Sequence, residues 1–213
     1  QKVNKKGMVK LEIHVGRLGA VIVEPAKYFS EQLLQWPFKN MLSKAVEAKP
    51  LESALLTLGS YTGYSGRGVM VKGKEPGTSD LVIKTEKEHR MMLTFGEDDN
   101  GSKFSGRNHH VYQSSFYNLF GGADRFTGMW LQNARPARGH YGGLSYNRRI
   151  FNPNLELGLA YSRNSYSLGG PFKLLKFTGR SNTGDIYLNQ TWIRQRTTIF
   201  STNLLFNRYQ AKT

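Results

Sequence analysis

The feature that most constrains this chain is a row of alternating segments in its second half. In the clearest of them, residues 155–163, the odd positions carry Leu155, Leu157, Leu159 and Tyr161, whereas charged, small and hydroxyl residues fill the even positions. A period of two residues places these two sets on opposite faces of a β-strand. One apolar face and one polar face suit a strand between lipid and an aqueous lumen, so the pattern predicts membrane-spanning β-strands.

The overall composition is compatible with this interpretation, although it looks like that of a soluble protein. Hydrophobic residues make up 38% of the chain and the mean hydropathy is -0.50, and no run of about 18 apolar residues occurs, which excludes a transmembrane helix. A transmembrane β-barrel escapes this test, because half of each strand is polar. The sequence has no Cys, which excludes disulfides and thiolate metal sites in these residues.

The formal charge of +15 leaves a second interpretation open. A soluble, basic β-domain could bind nucleic acid or another polyanion, and residues 173–180 and 193–196 do mix basic with apolar or aromatic side chains. The basic residues are otherwise scattered, and only Arg148–Arg149 and the Arg194/Arg196 pair lie close together. This distribution favours solvated strand ends and a charged lumen over a groove for a polyanion.

Residues 1–88 combine strand and helix patterns. Ser30 is a candidate N-cap, Gly59 a candidate C-cap, and residues 16–19 and 73–77 a strand break and a turn. The predicted strands are residues 8–15, 20–24, 67–72 and 81–85, and the predicted helices are residues 30–34, 39–48 and 50–58. After the first strand, the order is therefore strand, helices, strand, strand.

From His89 onward the helix signals disappear. The predicted strands are residues 90–98, 106–117, 124–133, 139–149, 154–164, 172–180, 184–194 and 198–209. Turn residues separate them, as in Asp98–Gly101, where a hairpin turn is favoured over a calcium loop. About ten residues per strand and short turns suit a membrane barrel better than a soluble sandwich.

The sequence offers no arrangement of residues suited to catalysis or cofactor binding. His109 and His110 are adjacent in a strand, so their side chains point to opposite faces and cannot easily share a metal. Residues 121–124 lack the Gly-Lys-Ser/Thr of a phosphate-binding loop, and no serine lies in a nucleophile elbow. We therefore predict no catalytic residue, no metal and no cofactor, and hence a protein that is not an enzyme.

Several motifs, in this order and spacing, resemble one family. They are Gly16-Arg-Leu-Gly-Ala-Val-Ile-Val-Glu24, Pro50-Leu-Glu-Ser-Ala-Leu55, Ser79-Asp-Leu-Val-Ile83, Asp99-Asn-Gly-Ser102, Asn118-Leu-Phe-Gly-Gly-Ala-Asp-Arg125, Tyr161-Ser-Arg163, Tyr166-Ser-Leu-Gly-Gly-Pro-Phe172, Gly179-Arg-Ser181 and Ile193-Arg-Gln-Arg196. Together they resemble the two-partner secretion transporters of the outer membrane, the haemolysin secretion/activation proteins. These proteins join polypeptide-transport-associated (POTRA) domains to a β-barrel.

The resemblance implies an α+β POTRA domain followed by antiparallel transmembrane β-barrel strands. Residues 1–16 would be the last strand of a preceding POTRA domain, residues 17–88 a POTRA domain with the order β-α-α-β-β, and residues 89–213 the N-terminal half of an outer-membrane β-barrel. About eight of roughly sixteen strands would be present. The pore-loop motif Val-Arg-Gly-Tyr/Phe, which lies in the second half of the family's barrel, is absent here, so we expect the chain to be a fragment of a longer protein.

The same resemblance implies the partners. The POTRA domain would lie in the periplasm of a Gram-negative bacterium and capture an unfolded, secreted exoprotein, while the barrel contacts outer-membrane lipid; neither nucleic acid nor a small-molecule substrate is expected. Gly68, Val69, Met70 and Val71 form the predicted client-binding strand edge. Two alternatives stay open: that this edge packs on a neighbouring domain, and that the protein assembles other barrels rather than secreting a client.

Overall fold

The structure is a computed structural model that describes residues 2–3, 9–10, 16–133 and 139–212. Two short strands, β1 (Lys2–Val3) and β2 (Val9–Lys10), pair with each other. An α+β module follows, with β3 (Arg17–Val23), α1 (Glu31–Gln35), a 3-10 helix (Trp36–Met41), α2 (Ala48–Gly59), β4 (Tyr64–Lys72) and β5 (Thr78–Glu88). A large sheet then contains β6 (Met91–Asp98), β7 (His109–Tyr117), β8 (Arg125–Asn133), β9 (Gly139–Arg149), β10 (Leu155–Ser167), β11 (Thr178–Arg194) and β12 (Ile199–Lys212), with a second 3-10 helix (Gly170–Leu175) before β11.

The module is a three-stranded sheet whose helices pack on one face. β5 lies in the centre, parallel to β3 and antiparallel to β4. The helices supply the crossover that a parallel pair of strands requires. The side chains buried between the two layers are Leu18, Val21, Phe29, Leu33, Leu34, Phe38, Ala54, Leu58, Tyr61, Tyr64, Leu81 and Ile83. No helix in the described residues is both long and apolar enough to cross a membrane.

The ends of the helices follow local capping chemistry. Ser30 has an extended backbone, and its Oγ accepts the N–H of Leu33 at 3.3 Å, which confirms the predicted N-cap. Gly59, predicted as a C-cap, is instead the last residue of α2. Ser60 occupies the cap position, and its hydroxyl donates to the carbonyl of Thr57 at 2.6 Å.

The predicted helix over residues 39–48 is wrong. The first 3-10 helix ends at Met41, and Ser43 then adopts a left-handed conformation with a φ of 62°. The N–H of Ser43 donates to the carbonyl of Leu18 at 2.8 Å, and the N–H of Leu18 donates to the carbonyl of Lys44 at 2.9 Å. The segment therefore satisfies its backbone polar groups against β3 rather than within a helix.

The strand break predicted at residues 16–19 is wrong, because β3 begins at Arg17 and includes Leu18 and Gly19; the register with β5 shifts between Leu18 and Val21. A Cβ added at Gly19 would lie 2.5 Å from Oδ1 of Asp80, so this glycine permits a close approach within the strand. The predicted strand over residues 8–15 falls mainly outside the described residues.

The large sheet is an antiparallel meander in which each strand pairs with its neighbours in sequence. Seven of the eight predicted strands have a counterpart, and six of them agree with the predicted bounds to within three residues. The predicted strand over residues 172–180 is wrong, because Gly170–Leu175 form a 3-10 helix and Lys176 is left-handed with a φ of 48°. The described sheet thus has seven strands rather than eight, and β11 is correspondingly long. The connection from β6 to β7, predicted as a short turn, spans residues 99–108.

The two faces of the large sheet differ in chemistry, as the alternation predicts. The register sets Leu159 of β10 between Tyr146 of β9 and Ile186 of β11. This face, here called the apolar face, carries Met91, Leu93, Phe95, Tyr112, Phe116, Phe126, Trp130, Leu144, Tyr146, Leu157, Leu159, Tyr161, Ile186, Leu188, Leu204 and Phe206. The opposite face, here called the polar face, carries mainly Ser, Thr, Asn, Gly and Tyr residues.

The hydrophobic core lies in the module, and the apolar face does not contribute to it. Large side chains on that face are exposed, among them Leu93 at 67%, Leu204 at 73% and Phe206 at 68%. No second layer packs over them among the described elements. An apolar surface of this extent indicates contact with a membrane or a partner protein.

Candidate functional site

The predicted client-binding residues lie in an edge strand of the module. Gly68, Val69, Met70 and Val71 belong to β4, which pairs only with β5 in the described part of the chain. Met70 and Val71 are exposed, and Gly68 and Val69 are half-buried. One side of β4 therefore offers backbone N–H and C=O groups to an added strand.

The other edge of the same sheet is occupied. The N–H of Val46 donates to the carbonyl of Gly16 at 2.9 Å, and Nε2 of Gln35 donates to the carbonyl of Val21 at 2.9 Å. Together with the contacts of Ser43 and Lys44 described above, these bonds cover β3. Of the two edges of the module, β4 is thus the one suited to strand addition.

Gly68 contributes to this edge through its small size. Its position faces α2, where an added Cβ would lie 2.7 Å from Cδ2 of Leu55 and 2.9 Å from Cδ1 of Leu81. The glycine lets α2 pack directly against the sheet, and it has no side chain with which to recognise a client. Within the predicted set, specific contacts would come from Met70 and Val71 instead.

Replacing Gly68 with valine is expected to destabilise the module by about 1–2 kcal/mol, because the larger side chain overpacks the contact with Leu55. The urea midpoint of the full-length protein, followed by tryptophan fluorescence, measures the effect. Val71→Ile, which also enlarges a side chain of β4 but at an exposed position, is the matched control. Equal midpoints for the two variants would contradict this role for Gly68.

A buried arginine joins the module to the large sheet. Arg149, the last residue of β9, is only 8% exposed, and its guanidinium lies over the ring of Tyr61 at 4.9 Å from the centroid. Its Nη2 donates to the carbonyl and the Oγ of Ser60 at 3.1 and 3.0 Å, and its Nη1 donates to the carbonyl of Pro153. Burial raises the pKa of the Tyr61 phenol, and the charge of Arg149 opposes this shift only in part.

The connection between β7 and β8 makes a second contact with the module. Nδ2 of Asn118 donates to the carbonyl of Tyr28 at 2.6 Å, while its Oδ1 accepts the N–H of Ala123 at 3.1 Å. Asn118 is left-handed, with a φ of 49°. This backbone conformation, which asparagine tolerates well, lets the connection reach the module.

Two further side-chain pairs lie at the same end of the large sheet. Oγ1 of Thr57 donates to Oδ1 of Asn154 at 3.0 Å, and Nε of Arg196 pairs with Oε1 of Glu52 at 2.8 Å. The module is therefore held by three successive connections of the large sheet, those between β7 and β8, β9 and β10, and β11 and β12. We call this set of contacts the joint.

The two histidines that the sequence singled out lie on opposite faces. Nδ1 of His109 lies 3.0 Å from Oδ1 of Asp98, and Nδ1 of His110 lies 3.5 Å from Oε1 of Glu97. Within residues 16–133 and 139–212, no three His, Cys, Asp or Glu side chains are grouped so that they could hold a metal ion.

The sequence alone does not predict the joint. In the sequence, Arg148–Arg149 is only a close basic pair, and Asn118 and Asp124 are only members of a motif that resembles the family. The available signal was a basic pair at a strand end directly before the turn-forming Asn152-Pro153-Asn154. That signal suggests a structured strand end but does not say what lies against it.

Comparison with known proteins identifies relatives that are much longer than this chain. The heme/hemopexin transporter protein HuxB of Haemophilus influenzae (strain Rd) is 25% identical over 205 residues, which are 95% of this chain and 36% of HuxB. HuxB of Haemophilus influenzae strain 86-028NP is 24% identical over the same length. The chain thus spans about a third of the length of these relatives.

Solved structures share the fold at low sequence identity. CdiB from Escherichia coli matches with a TM-score of 0.73 and 16% identity, over 93% of this chain and 38% of CdiB. CdiB from Acinetobacter baumannii matches with a TM-score of 0.68 at 16% identity, over 93% of this chain and 39% of that CdiB. BamA from Haemophilus ducreyi, in a form lacking POTRA domains 1–3, matches with a TM-score of 0.62 and 12% identity, over 93% of this chain and 36% of BamA.

The family model described as haemolysin secretion/activation protein ShlB/FhaC/HecB matches residues 77–213, which is more than half of the chain. The matched region begins just before β5 and includes the whole large sheet, with its exposed apolar face. This family consists of outer-membrane proteins of Gram-negative bacteria. The chain therefore belongs to the haemolysin secretion/activation family, as its sequence motifs predict.

Proposed function

We propose that this chain is part of a two-partner secretion transporter. Residues 17–88 are its POTRA domain, residues 1–16 end a preceding POTRA domain, and residues 89–213 supply the N-terminal strands of its barrel. The POTRA domain captures an unfolded exoprotein in the periplasm, and the complete barrel passes it across the outer membrane. The family match over the large sheet and the similarity to HuxB support this proposal.

The observation that carries the proposal is the combination of an uncovered apolar face with a module that has one open strand edge. Strands with one apolar and one polar face suit a wall between lipid and a lumen. Because the seven strands alone would leave unpaired edges that lipid cannot satisfy, the proposal concerns the full-length protein.

The joint supports the proposed orientation. The described contacts between the module and the large sheet lie at one end of the strands, at residues such as Asn118, Arg149 and Asn154. The module therefore lies on one side of the membrane that the strands span. An exoprotein arriving from the periplasm meets the module first when that side is the periplasmic one.

In this mechanism the client adds to β4 as a further strand. Its main-chain groups pair with the free side of β4, and its side chains contact Met70 and Val71. Such pairing can break and form again with successive segments of the client, and it requires neither covalent chemistry nor a cofactor. The Ser, Thr and Asn side chains of the polar face then offer the client a hydrated path.

The family match gives no support to the two other functions considered. A soluble basic domain that binds nucleic acid would expose the uncovered apolar face to water, which is unfavourable. The barrel assembly function suggested by the similarity to BamA rests on 12% identity, which concerns the fold alone.

A photo-crosslinking amino acid at position 71 tests the proposal in cells that produce the full-length protein. We expect an adduct with a protein whose appearance in the culture medium requires the transporter. The matched control is position 22 in β3, since Ile22 and Val71 have similar exposure, 43% and 40%, but only Val71 lies on the open edge. Equal crosslinking to that exported protein from both positions would contradict client binding at β4, and recovery of the protein outside the outer-membrane fraction would contradict the transporter itself.

A further inference from the structure

The end of the large sheet opposite the joint carries a continuous row of polar side chains on the apolar face. The strand register places these residues directly beside one another, one from each strand. From β6 to β12 the row contains Glu97, His110, Gln132, His140, Ser165, Arg180 and Lys212. We call it the rim row.

The positive charge of the rim row is concentrated on its last two strands. Arg180 and Lys212 lie directly opposite each other in the register of β11 and β12. Like charges in a directly opposed pair destabilise a sheet unless an anion lies between them. The next rows toward the apolar band add Arg163 and Arg208, so four cations gather where the band ends.

No carboxylate neutralises these cations among the described residues. The acidic side chains of β10 and β11 are Glu156 and Asp185, and both lie on the polar face, where Asp185 accepts a hydrogen bond from Asn207 at 2.5 Å. The carboxylate of the row, Glu97, is paired with His110 at its far end. Because all four side chains are exposed, the cations on β10–β12 are open to a counter-anion from outside the described chain.

A cavity of about 550 Å³ lies over this part of the rim row. Its lining includes Trp130, Gln132, His140, Ser165, Arg180 and Lys212, each of which carries a hydrogen-bond donor. The ring of His140 stacks on Trp130 with 5.4 Å between centroids, and Oγ of Ser165 lies 2.7 Å from Nε2 of His140. These contacts hold the side of the cavity formed by Trp130, His140 and Ser165 in place.

An apolar depression of about 900 Å³ adjoins this cavity, and the two share Trp130. Gly128 and Gly142 lie at its floor, and Tyr112 and Leu144 stand beside them. The depression lies in the apolar band and is lined by residues of β6 to β10, and it meets the cationic cavity at Trp130 of β8. A donor-rich cavity beside an apolar groove matches a molecule that has an anionic head and a hydrocarbon tail.

We propose that this surface binds a phosphorylated, acylated glycolipid of the outer leaflet. Its phosphate lies between Arg180 and Lys212, with Arg163 and Arg208 nearby, and an acyl chain lies over Gly128 and Gly142. Charge complementarity and the continuity of the two cavities select this occupant. The choice of the outer leaflet rests on the orientation given under the proposed function, which places the rim row on the side of the membrane away from the periplasm.

Binding of purified lipid A to the full-length protein in detergent tests the proposal. Removing both charges in Arg180→Gln/Lys212→Gln is expected to weaken binding roughly 100-fold, about tenfold for each charge–phosphate contact. Lys49→Gln/Lys74→Gln removes two exposed charges from the module and is expected to leave the affinity unchanged. Gly142→Leu, which fills the groove and keeps every charge, is expected to weaken binding at least tenfold, and heat-dependent gel mobility verifies that each variant is folded.

Three probes distinguish the possible occupants. Dephosphorylated lipid A should bind the wild type as weakly as lipid A binds the double variant. Phosphatidylglycerol binding as tightly as lipid A would overturn the assignment to a glycolipid, and inorganic phosphate displacing lipid A at equal concentration would show an adventitious ion only. Because binding in detergent requires neither secretion nor a membrane orientation, a failure of the proposed function leaves these results interpretable.

Discussion

Replacing Asp124 with alanine is expected to lower the free energy of unfolding by about 3 kcal/mol, because several buried backbone donors lose their acceptor together. Asp124 is fully buried at the end of the connection between β7 and β8. Its carboxylate accepts the N–H groups of Leu119 at 2.8 Å, Phe120 at 2.9 Å and Gly122 at 3.4 Å. Since charge-assisted bonds of this kind are stronger than neutral ones, the carboxylate organises the whole connection.

The consequence extends to the joint. The same connection presents Asn118 to Tyr28 of the module, so loss of the Asp124 carboxylate also loosens that contact. Urea-induced unfolding of the full-length protein, followed by tryptophan fluorescence, measures the change. Asp185→Ala is the matched control, because its carboxylate accepts one side-chain bond, from Asn207. Asp124→Asn retains a single acceptor oxygen, so its urea midpoint should lie between those of Asp124→Ala and Asp185→Ala. Equal midpoints for Asp124→Ala and Asp185→Ala would contradict the role of the Asp124 carboxylate.

The parts of the fold that the sequence predicts are those with a strong local period. Alternation in residues 155–163 predicts both the strand and its apolar face, since a side-chain period of two is geometric and does not depend on neighbours. The order of strands and helices in the module follows from similar local signals, such as the N-cap at Ser30.

The errors arise where tertiary contacts or special backbone conformations override a local pattern. Residues 39–48 have a helical composition, but their backbone bonds go to β3. Residues 172–180 alternate, but left-handed Lys176 separates a 3-10 helix from β11. The structure of each segment depends on contacts with other parts of the chain, so the local residue pattern does not predict it.

The functional surfaces show the same division. The sequence places Gly68 to Val71 in a strand, but only the strand order and the bonds of residues 43–46 to β3 show that β4, and not β3, is the open edge. Similarly, the cations at positions 163, 180, 208 and 212 look scattered in the sequence. Only the register of β10, β11 and β12 brings them together.

Arg149→Met is expected to loosen the joint without unfolding either side of it. Methionine keeps much of the side-chain volume, but the stacking on Tyr61 and the bonds to Ser60 and Pro153 are lost, at a cost of about 3 kcal/mol. Since 1.4 kcal/mol is a factor of ten, hydrogen exchange at the joint should accelerate roughly 100-fold. The exchange rate of the His89 amide, which donates to the carbonyl of Gly63 at 2.8 Å between β5 and β6, measures this change.

The adjacent arginine provides the control. Arg148 precedes it in β9, and the strand alternation turns it to the opposite face, where its side chain lies against Gly122. Arg148→Met therefore removes the same charge but none of the contacts with Tyr61, Ser60 and Pro153. Its exchange rate at His89 should match that of the wild type. Arg149→Lys should behave like Arg149→Met, because lysine keeps the charge but has neither the planar group that stacks on Tyr61 nor the fork that reaches Ser60 and Pro153 together. Wild-type exchange in Arg149→Lys would show that charge alone holds the joint, and equal rates in Arg148→Met and Arg149→Met would show that the guanidinium does not hold it.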